Sequence, residues 1–178
     1  GGAGVSYDTL GGVQPNPHLG LAREGVKKAI AMDAQLILAI GGGSVIDTAK
    51  AIAHGKANPD IDIWDFWLGK KKVEKSTPVG VILTIPASGS ETSDSAVLTD
   101  ETILQKRGLN TDYNRPVFAI MDPTLAATLP RRQVACGVTD ILMHTLERYF
   151  NPIQGNETTM QLAESVLRVT IANGPAVV

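Results

Sequence analysis

Gln35-Leu36-Ile37-Leu38-Ala39-Ile40-Gly41-Gly42-Gly43-Ser44-Val45-Ile46-Asp47 is the stretch on which the fold turns. Residues 35–40 form a run of strand length, continuously apolar from Leu36 on, the pattern expected of a parallel strand covered on both faces. The run closes on three glycines and a serine, and Val45 to His54 then reads as a helix. A strand that turns through glycines into a helix is suited to an anion. The glycines let the backbone approach closely, and the helix start offers free N–H groups at the positive end of its dipole. Ser44 with Asp47 also resembles a capping box, with Asp in place of the usual Glu. A glycine turn with a helix cap and no ligand explains the same residues. The pattern is not G-x-G-x-x-G, and no ribose-binding acid stands about 20 residues further on.

Outward from this turn the order is strand, helix, strand. Val5 to Thr9 is strand-like, and Gly11-Gly12-Val13-Gln14-Pro15-Asn16-Pro17 is a loop dense in turn residues. Asn16 is placed to cap the helix that follows to about Asp33, with Leu21, Val26, Ala29 and Ile30 on its inner side. Downstream, Trp64, Phe66 and Trp67 read as a packing anchor and Lys70-Lys71-Lys72 as a solvated run. Val79 to Ile85 is a second buried strand, ending in Pro86-Ala87-Ser88-Gly89-Ser90-Glu91-Thr92. Two small-residue loops at the carboxyl ends of strands are where open α/β sheets bind ligands. The hydroxyls of Thr84, Ser88 and Ser90 can meet phosphate or ribose oxygens, or merely close turns. Ala96–Thr99 and Pro116–Met121 are further strands, and Lys106 between them is exposed by default.

Near residue 130 the character changes. The expected division is an α/β dinucleotide-binding part over 1–130 and the start of an all-helical metal-binding part over 131–178. Helices are expected over Arg131–Phe150 and Glu157–Asn173, the second stopped by Gly174-Pro175. In the first, Val134, Val138, Ile141, Leu142, Thr145 and Tyr149 form one stripe. Asp140 and His144 stand four apart, about 40° around the helix, so their side chains reach one point. A carboxylate oxygen and an imidazole nitrogen meeting there form half a coordination shell for a divalent transition metal. An ordinary exposed helix pair has the same spacing.

The bulk properties narrow the classes. The chain has 178 residues, 43% hydrophobic and 19% charged, as an ordinary globular protein has. A net charge of −2 gives no electrostatic reason to expect nucleic acid or an anionic membrane. No apolar run approaches the length of a membrane helix, and no signal peptide is evident. A single cysteine, Cys136, excludes an intrachain disulfide and fits a reducing, cytoplasmic compartment. It is expected to pack as a small apolar residue. Both ends look cut, so a fragment of a longer protein is expected.

Four motifs in order, Gly11-Gly12-x-x-Pro15-Asn16-Pro17, Gly41-Gly42-Gly43-Ser44-x-x-Asp47, Thr84-Ile85-Pro86-Ala87-Ser88-Gly89-Ser90-Glu91 and Gly137-Val138-Thr139-Asp140-x-x-x-His144, resemble those of the iron-containing (group III) alcohol dehydrogenases. The Pro-Ala-Ser-Gly-Ser-Glu version is similar to the butanol dehydrogenase and broad-range aldehyde reductase branch. The resemblance covers essentially the whole chain. It implies a Rossmann-like parallel-sheet domain, incomplete at its N-terminus, and hydride transfer between NAD(P)H and an aldehyde or primary alcohol. It implies that Gly42, Gly43 and Ser44 cradle the pyrophosphate of NAD or NADP with Asp47 at the ribose side. Asn16, Thr84, Ser88 and Lys106 would lie along the same cleft. Asp140 and His144 would be the first two ligands of Fe²⁺, or sometimes Zn²⁺, and a homodimer or larger assembly of the full-length protein is implied.

This sequence departs from the family in its histidines. The remaining two, His18 and His54, are in the α/β part at non-ligand positions, and His54 is expected to end its helix as a cation suited to the dipole. The other metal ligands are therefore expected beyond Val178, and the first βαβ segment before Gly1. No general base is identifiable. A metal- and NAD-dependent lyase of the dehydroquinate synthase type, and an inactive nucleotide-binding fragment, are the competing readings.

Overall fold

The computed structural model describes residues 4–152 and 155–178. The chain divides into two compact units, Gly1–Ala126 and Ala127–Val178. In the first unit, β1 (Ile37–Gly41), β2 (Val79–Leu83) and β5 (Phe118–Ile120) form a parallel sheet in the order β1-β2-β5. Between β1 and β2 lie α2 (Gly43–Ala57) and the short α3 (Trp64–Trp67), and α1 (Leu19–Ala31) precedes β1. A separate antiparallel hairpin, β3 (Ser95–Asp100) with β4 (Gln105–Asn110), is inserted between β2 and β5.

Helix α2 is the centre of this unit. On one side Ile46, Ala49 and Ala53 pack on Ala39, Val79, Val81 and Leu83 of the sheet. On the other, Ala51 joins Leu19 and Ala22 of α1, Ile63, Trp64, Phe66 and Trp67, and Ala96 and Leu98 of β3. The tryptophans and Phe66 are the packing anchor that the sequence indicated, and Trp67 Nε1–H donates to the Ala96 carbonyl at 3.1 Å. Lys70, Lys71 and Lys72 are exposed, as expected.

Several expectations are corrected. Residues 5–9 form no strand, because no neighbouring strand edge pairs with them among the described residues. The β1 run is covered on one face only. Leu38 and Ile40 point away from α2 and are 46% and 60% exposed, alongside Phe118 and Ile120 of β5. The apolar run is correct for two-sided cover, but the described chain supplies one layer. In α1, Ile30 is exposed and the buried residues are Leu19, Ala22, Gly25 and Ala29, with Val26 beside them, because α2 packs on that face and Ile30 falls outside it. Residues 105–110, not recognised as a strand, are the partner of β3.

The second unit is a pair of helices, α4 (Arg131–Tyr149) and α5 (Glu157–Val177), packed on each other. Helix α5 does not stop at Gly174-Pro175. A proline so near the end costs a single backbone bond, and Val178 N–H still reaches the Gly174 carbonyl at 3.3 Å. The α4 stripe is at most half-buried and Ile141 is exposed. Cys136 is exposed too, not packed, because two helices alone cover one side of each other.

Candidate cofactor cleft and metal pair

The glycine turn and the loop after β2 meet. Thr84 N–H donates to the Gly41 carbonyl at 3.1 Å, carrying the pairing with the last residue of β1 one step past the end of β2. A Cβ on Gly42 would drive into the Ile85 side chain, and one on Gly43 into Ser88. Only glycine lets the two loops close on one another here. Gly42 is the N-cap of α2, its carbonyl accepting from Val45 N–H at 3.0 Å and Ile46 N–H at 3.1 Å. The Gly43 and Ser44 amides, in the first turn, have no intrahelical acceptor and stand at the positive end of the dipole. A backbone cradle free of side chains, with donors turned outward, fits a pyrophosphate.

The expected Ser44/Asp47 capping box does not form. The helix begins before Ser44, which puts Ser44 inside the first turn and turns Asp47 inward. Asp47 is 9% exposed. Its Oδ1 accepts from Ser90 Oγ–H at 2.6 Å and its Oδ2 from Val97 N–H at 2.9 Å, while burial holds its pKa above the ordinary carboxylate value. The place expected for it at a ribose is thus occupied by an internal duty. Ser90 is buried in the same network and offers no hydroxyl to a ligand, whereas Ser88 is exposed and Thr84 half-buried.

Asn16 and Lys106, 90 residues apart, meet: Lys106 Nζ donates to Asn16 Oδ1 at 2.8 Å. The hairpin makes the meeting possible, because Thr99 N–H bonds the Pro17 carbonyl at 2.8 Å and carries β4 alongside. Asn16 is not the α1 cap. It sits in the left-handed region (φ 63°), the N-cap is His18, and Glu101 instead takes the Gly20 N–H at 3.1 Å. Lys106 lies near enough for its charge to favour the ionised form of Asp47, which ties this pair to the cradle.

Sequence reasoning missed what lies behind the cleft. Lys50 is fully buried, and His54 with it. His54 is not a helix-end cation. Its Nε2 faces Asn114 Oδ1 at 2.8 Å and its Nδ1 Ser76 Oγ at 2.9 Å, and burial lowers its pKa to about 4. Because Asn114 Oδ1 only accepts, Nε2 carries the proton. Asp47, Lys50 and His54, at i, i+3 and i+7, form one polar ridge on a helix otherwise apolar on both sides. That interruption was the available signal.

On α4, Asp140 Oδ1 and His144 Nε2 are 3.6 Å apart, and His144 Nδ1 is 3.6 Å from Glu147 Oε2. Both Asp140 and His144 are exposed. Metal bonds of about 2.0–2.2 Å put two tetrahedral ligands about 3.4 Å apart, so the pair fits half a shell after a slight rotation. Among the described residues no third histidine, cysteine or carboxylate completes a cluster.

A parallel sheet with a glycine turn at its carboxyl edge, followed by a helical pair that carries Asp140 and His144 one turn apart, defines a Rossmann-like α/β protein with a helical extension. The family model for iron-containing alcohol dehydrogenase matches residues 2–123, and the chain belongs to that family. Its similarity places it in the branch of butanol dehydrogenases and aldehyde reductases. It is 38% identical over 170 residues to NADH-dependent butanol dehydrogenase A of Clostridium acetobutylicum, covering 96% of this chain and 43% of that protein. It is 37% identical over 174 residues to the NADPH-dependent aldehyde reductase YqhD of Escherichia coli, covering 97% and 45%. The crystal structure of E. coli YqhD superposes with a TM-score of 0.84 at 37% identity, over 93% of this chain and 43% of that one. NADH-dependent butanol dehydrogenase A from Thermotoga maritima gives 0.79 at 38% identity, over 91% and 41%. The chain spans less than half the length of these relatives.

Proposed function

We propose that this chain carries the cofactor cradle and the first metal ligands of an NAD(P)-dependent alcohol/aldehyde oxidoreductase. The observation that carries the reading is the closure of Gly42 and Gly43 against Ile85 and Ser88, beneath the outward amides of the α2 first turn. Gly42, Gly43 and Ser44 bind the pyrophosphate through backbone N–H groups, and the Thr84 and Ser88 hydroxyls add hydrogen bonds from the opposite wall. Lys106 supplies a positive charge along the cleft, held in place by Asn16. Asp47 works from behind, orienting Ser90, and not by direct contact with a ribose.

Asp140 and His144 hold the metal, Fe²⁺ or Zn²⁺, together with ligands from elsewhere in the full-length protein. When bound, the metal supplies Lewis acidity toward a carbonyl oxygen, and the nicotinamide supplies the two electrons of the reduction. The residues of this chain contribute binding and orientation, which set the approach of the reacting groups. We place the protein in the cytoplasm as a homodimer or larger assembly. Among the described residues no helix is long and apolar enough to cross a membrane.

A lyase of the dehydroquinate synthase type is not favoured by the relatives named above. The deciding experiment is NAD(P)H-dependent reduction of butanal by the full-length protein loaded with Fe²⁺ or Zn²⁺. No nicotinamide-dependent turnover with primary alcohols or aldehydes would end this reading.

A further inference from the structure

The ridge on α2 has a consequence for the cleft. Lys50 Nζ sends its three N–H groups to four oxygens: the Ser90 carbonyl at 2.8 Å, Ser90 Oγ at 2.9 Å, the Ser93 carbonyl at 3.2 Å and the Ser95 carbonyl at 2.8 Å. Three of the four are on Ser90 and Ser93 in the loop after β2, and the fourth is the carbonyl of Ser95, where β3 begins. Burying an ammonium is costly, and an apolar side chain of similar volume would fill the space at less cost. Packing therefore does not explain the lysine. Gathering carbonyls does, since three diverging donors fix a segment of chain that has no regular ladder of its own.

The fixed segment reaches the cradle. Ser90 N–H lies 3.4 Å from Ser88 Oγ, and Ser88 is the residue that Gly43 accommodates. One turn before Lys50, Asp47 takes the hydroxyl proton of Ser90 and the amide of Val97. The helix whose first turn faces the anion thus also grips the opposite wall. We propose that Lys50 is a positioning residue for the dinucleotide: its buried ammonium holds residues 84–95 at the spacing from Gly42 and Gly43 that the pyrophosphate requires. Lys50 touches neither cofactor nor substrate. Burial, helped by the charge of Arg115, brings its pKa down to about 8, against the charges of Asp47, Glu91 and Asp94, which favour the ammonium.

This inference rests on the cofactor reading above, and the test separates the two. In the full-length protein, NAD(P)H affinity is measured by direct binding for Gly43→Ala and Lys50→Met, together with melting temperature, metal content and the KM for aldehyde. Lys50→Met is expected to weaken NAD(P)H binding at least tenfold, leaving metal content and the aldehyde KM within twofold. Gly43→Ala is expected to abolish NAD(P)H binding. If Gly43→Ala binds normally, the cofactor reading fails and the positioning role with it. If Gly43→Ala loses binding while Lys50→Met merely melts earlier and binds as before, Lys50 is structural and the inference is overturned. Should Lys50→Met not fold, Lys50→Arg keeps the charge but cannot place three N–H groups on the same carbonyls. Amide exchange over 84–95 should then accelerate with β1 and β2 unchanged; unaltered exchange over 84–95 overturns the proposal.

Discussion

Helices α2 and α4 each carry a carboxylate and a basic side chain about one turn apart, and the two pairs have opposite fates. On α2, Asp47 and Lys50 are covered by β3 and the loop before it, and both partners bind the same Ser90 hydroxyl group. On α4, Asp140 and His144 are each 57% exposed and stop 3.6 Å from one another, short of a hydrogen bond. A buried pair must be completed by the chain itself, because water is not there to do it. An exposed pair can stay incomplete and open to an ion. The comparison separates a polar cluster that builds a wall from one that solvent leaves open.

The largest expected effect falls on the covered side. Asp47→Ala leaves Ser90 Oγ and Val97 N–H unpaired and removes the nearby negative charge from a buried ammonium. It should cost about 3–5 kcal/mol in urea titrations. A loss below about 1 kcal/mol would put Asp47 in the same class as Asp140.

The pH response of the covered ridge comes next. An unfolded imidazole protonates near 6.5 and His54 only near 4, so between these values the unfolded state binds more protons and stability falls as the pH drops. The loss should reach roughly 3 kcal/mol by about pH 4. Asp47, raised by burial, offsets part of it at the acidic end. Urea midpoints measured from pH 7 to pH 4 should show the slope, and His54→Gln should flatten it.

Gly42→Ala tests the cleft between these extremes. The new methyl group meets Ile85, so a cost of about 1–3 kcal/mol is expected, with weakened NAD(P)H binding measured by fluorescence titration. Binding that survives unchanged would mean that the two loops need not touch.

The smallest effect belongs to the open pair. His144→Ala should change metal-free stability by less than about 0.5 kcal/mol, while abolishing metal retention by elemental analysis of the full-length protein. A metal-free loss above about 2 kcal/mol would show that α4, like α2, uses its pair to hold structure.

Much of the cleft was legible from local pattern. The apolar run before Gly41, the second run before Pro86 and the small residues closing each are short-range signals, and they located both loops correctly. The role of Gly42 and Gly43 also follows from residue type, since a chain that places glycines at a strand end usually needs close approach there. The capping role assigned to Ser44 failed because it depends on where the helix begins, and the backbone set that start at Gly42, before Ser44. Asn16 failed as a cap for a similar reason: its left-handed backbone turned it toward Lys106. Lys50 escaped altogether and His54 was misassigned, because a lysine on a helix and a histidine in its last turn are ordinarily solvated, and nothing local shows that chain 40 or more residues away will cover them.

By itself, the sequence determined the parallel strands β1 and β2, the long helices, the two small-residue loops at the strands' carboxyl ends and the spacing of Asp140 and His144, because each depends on neighbours within about one turn or one strand. Tertiary structure alone decided which polar groups would be buried, and hence that Asp47 and Lys50 became internal anchors while Asp140 and His144 stayed open. Burial is a property of what packs on a residue from elsewhere in the chain, and desolvation then dictates that every covered donor and acceptor find a partner.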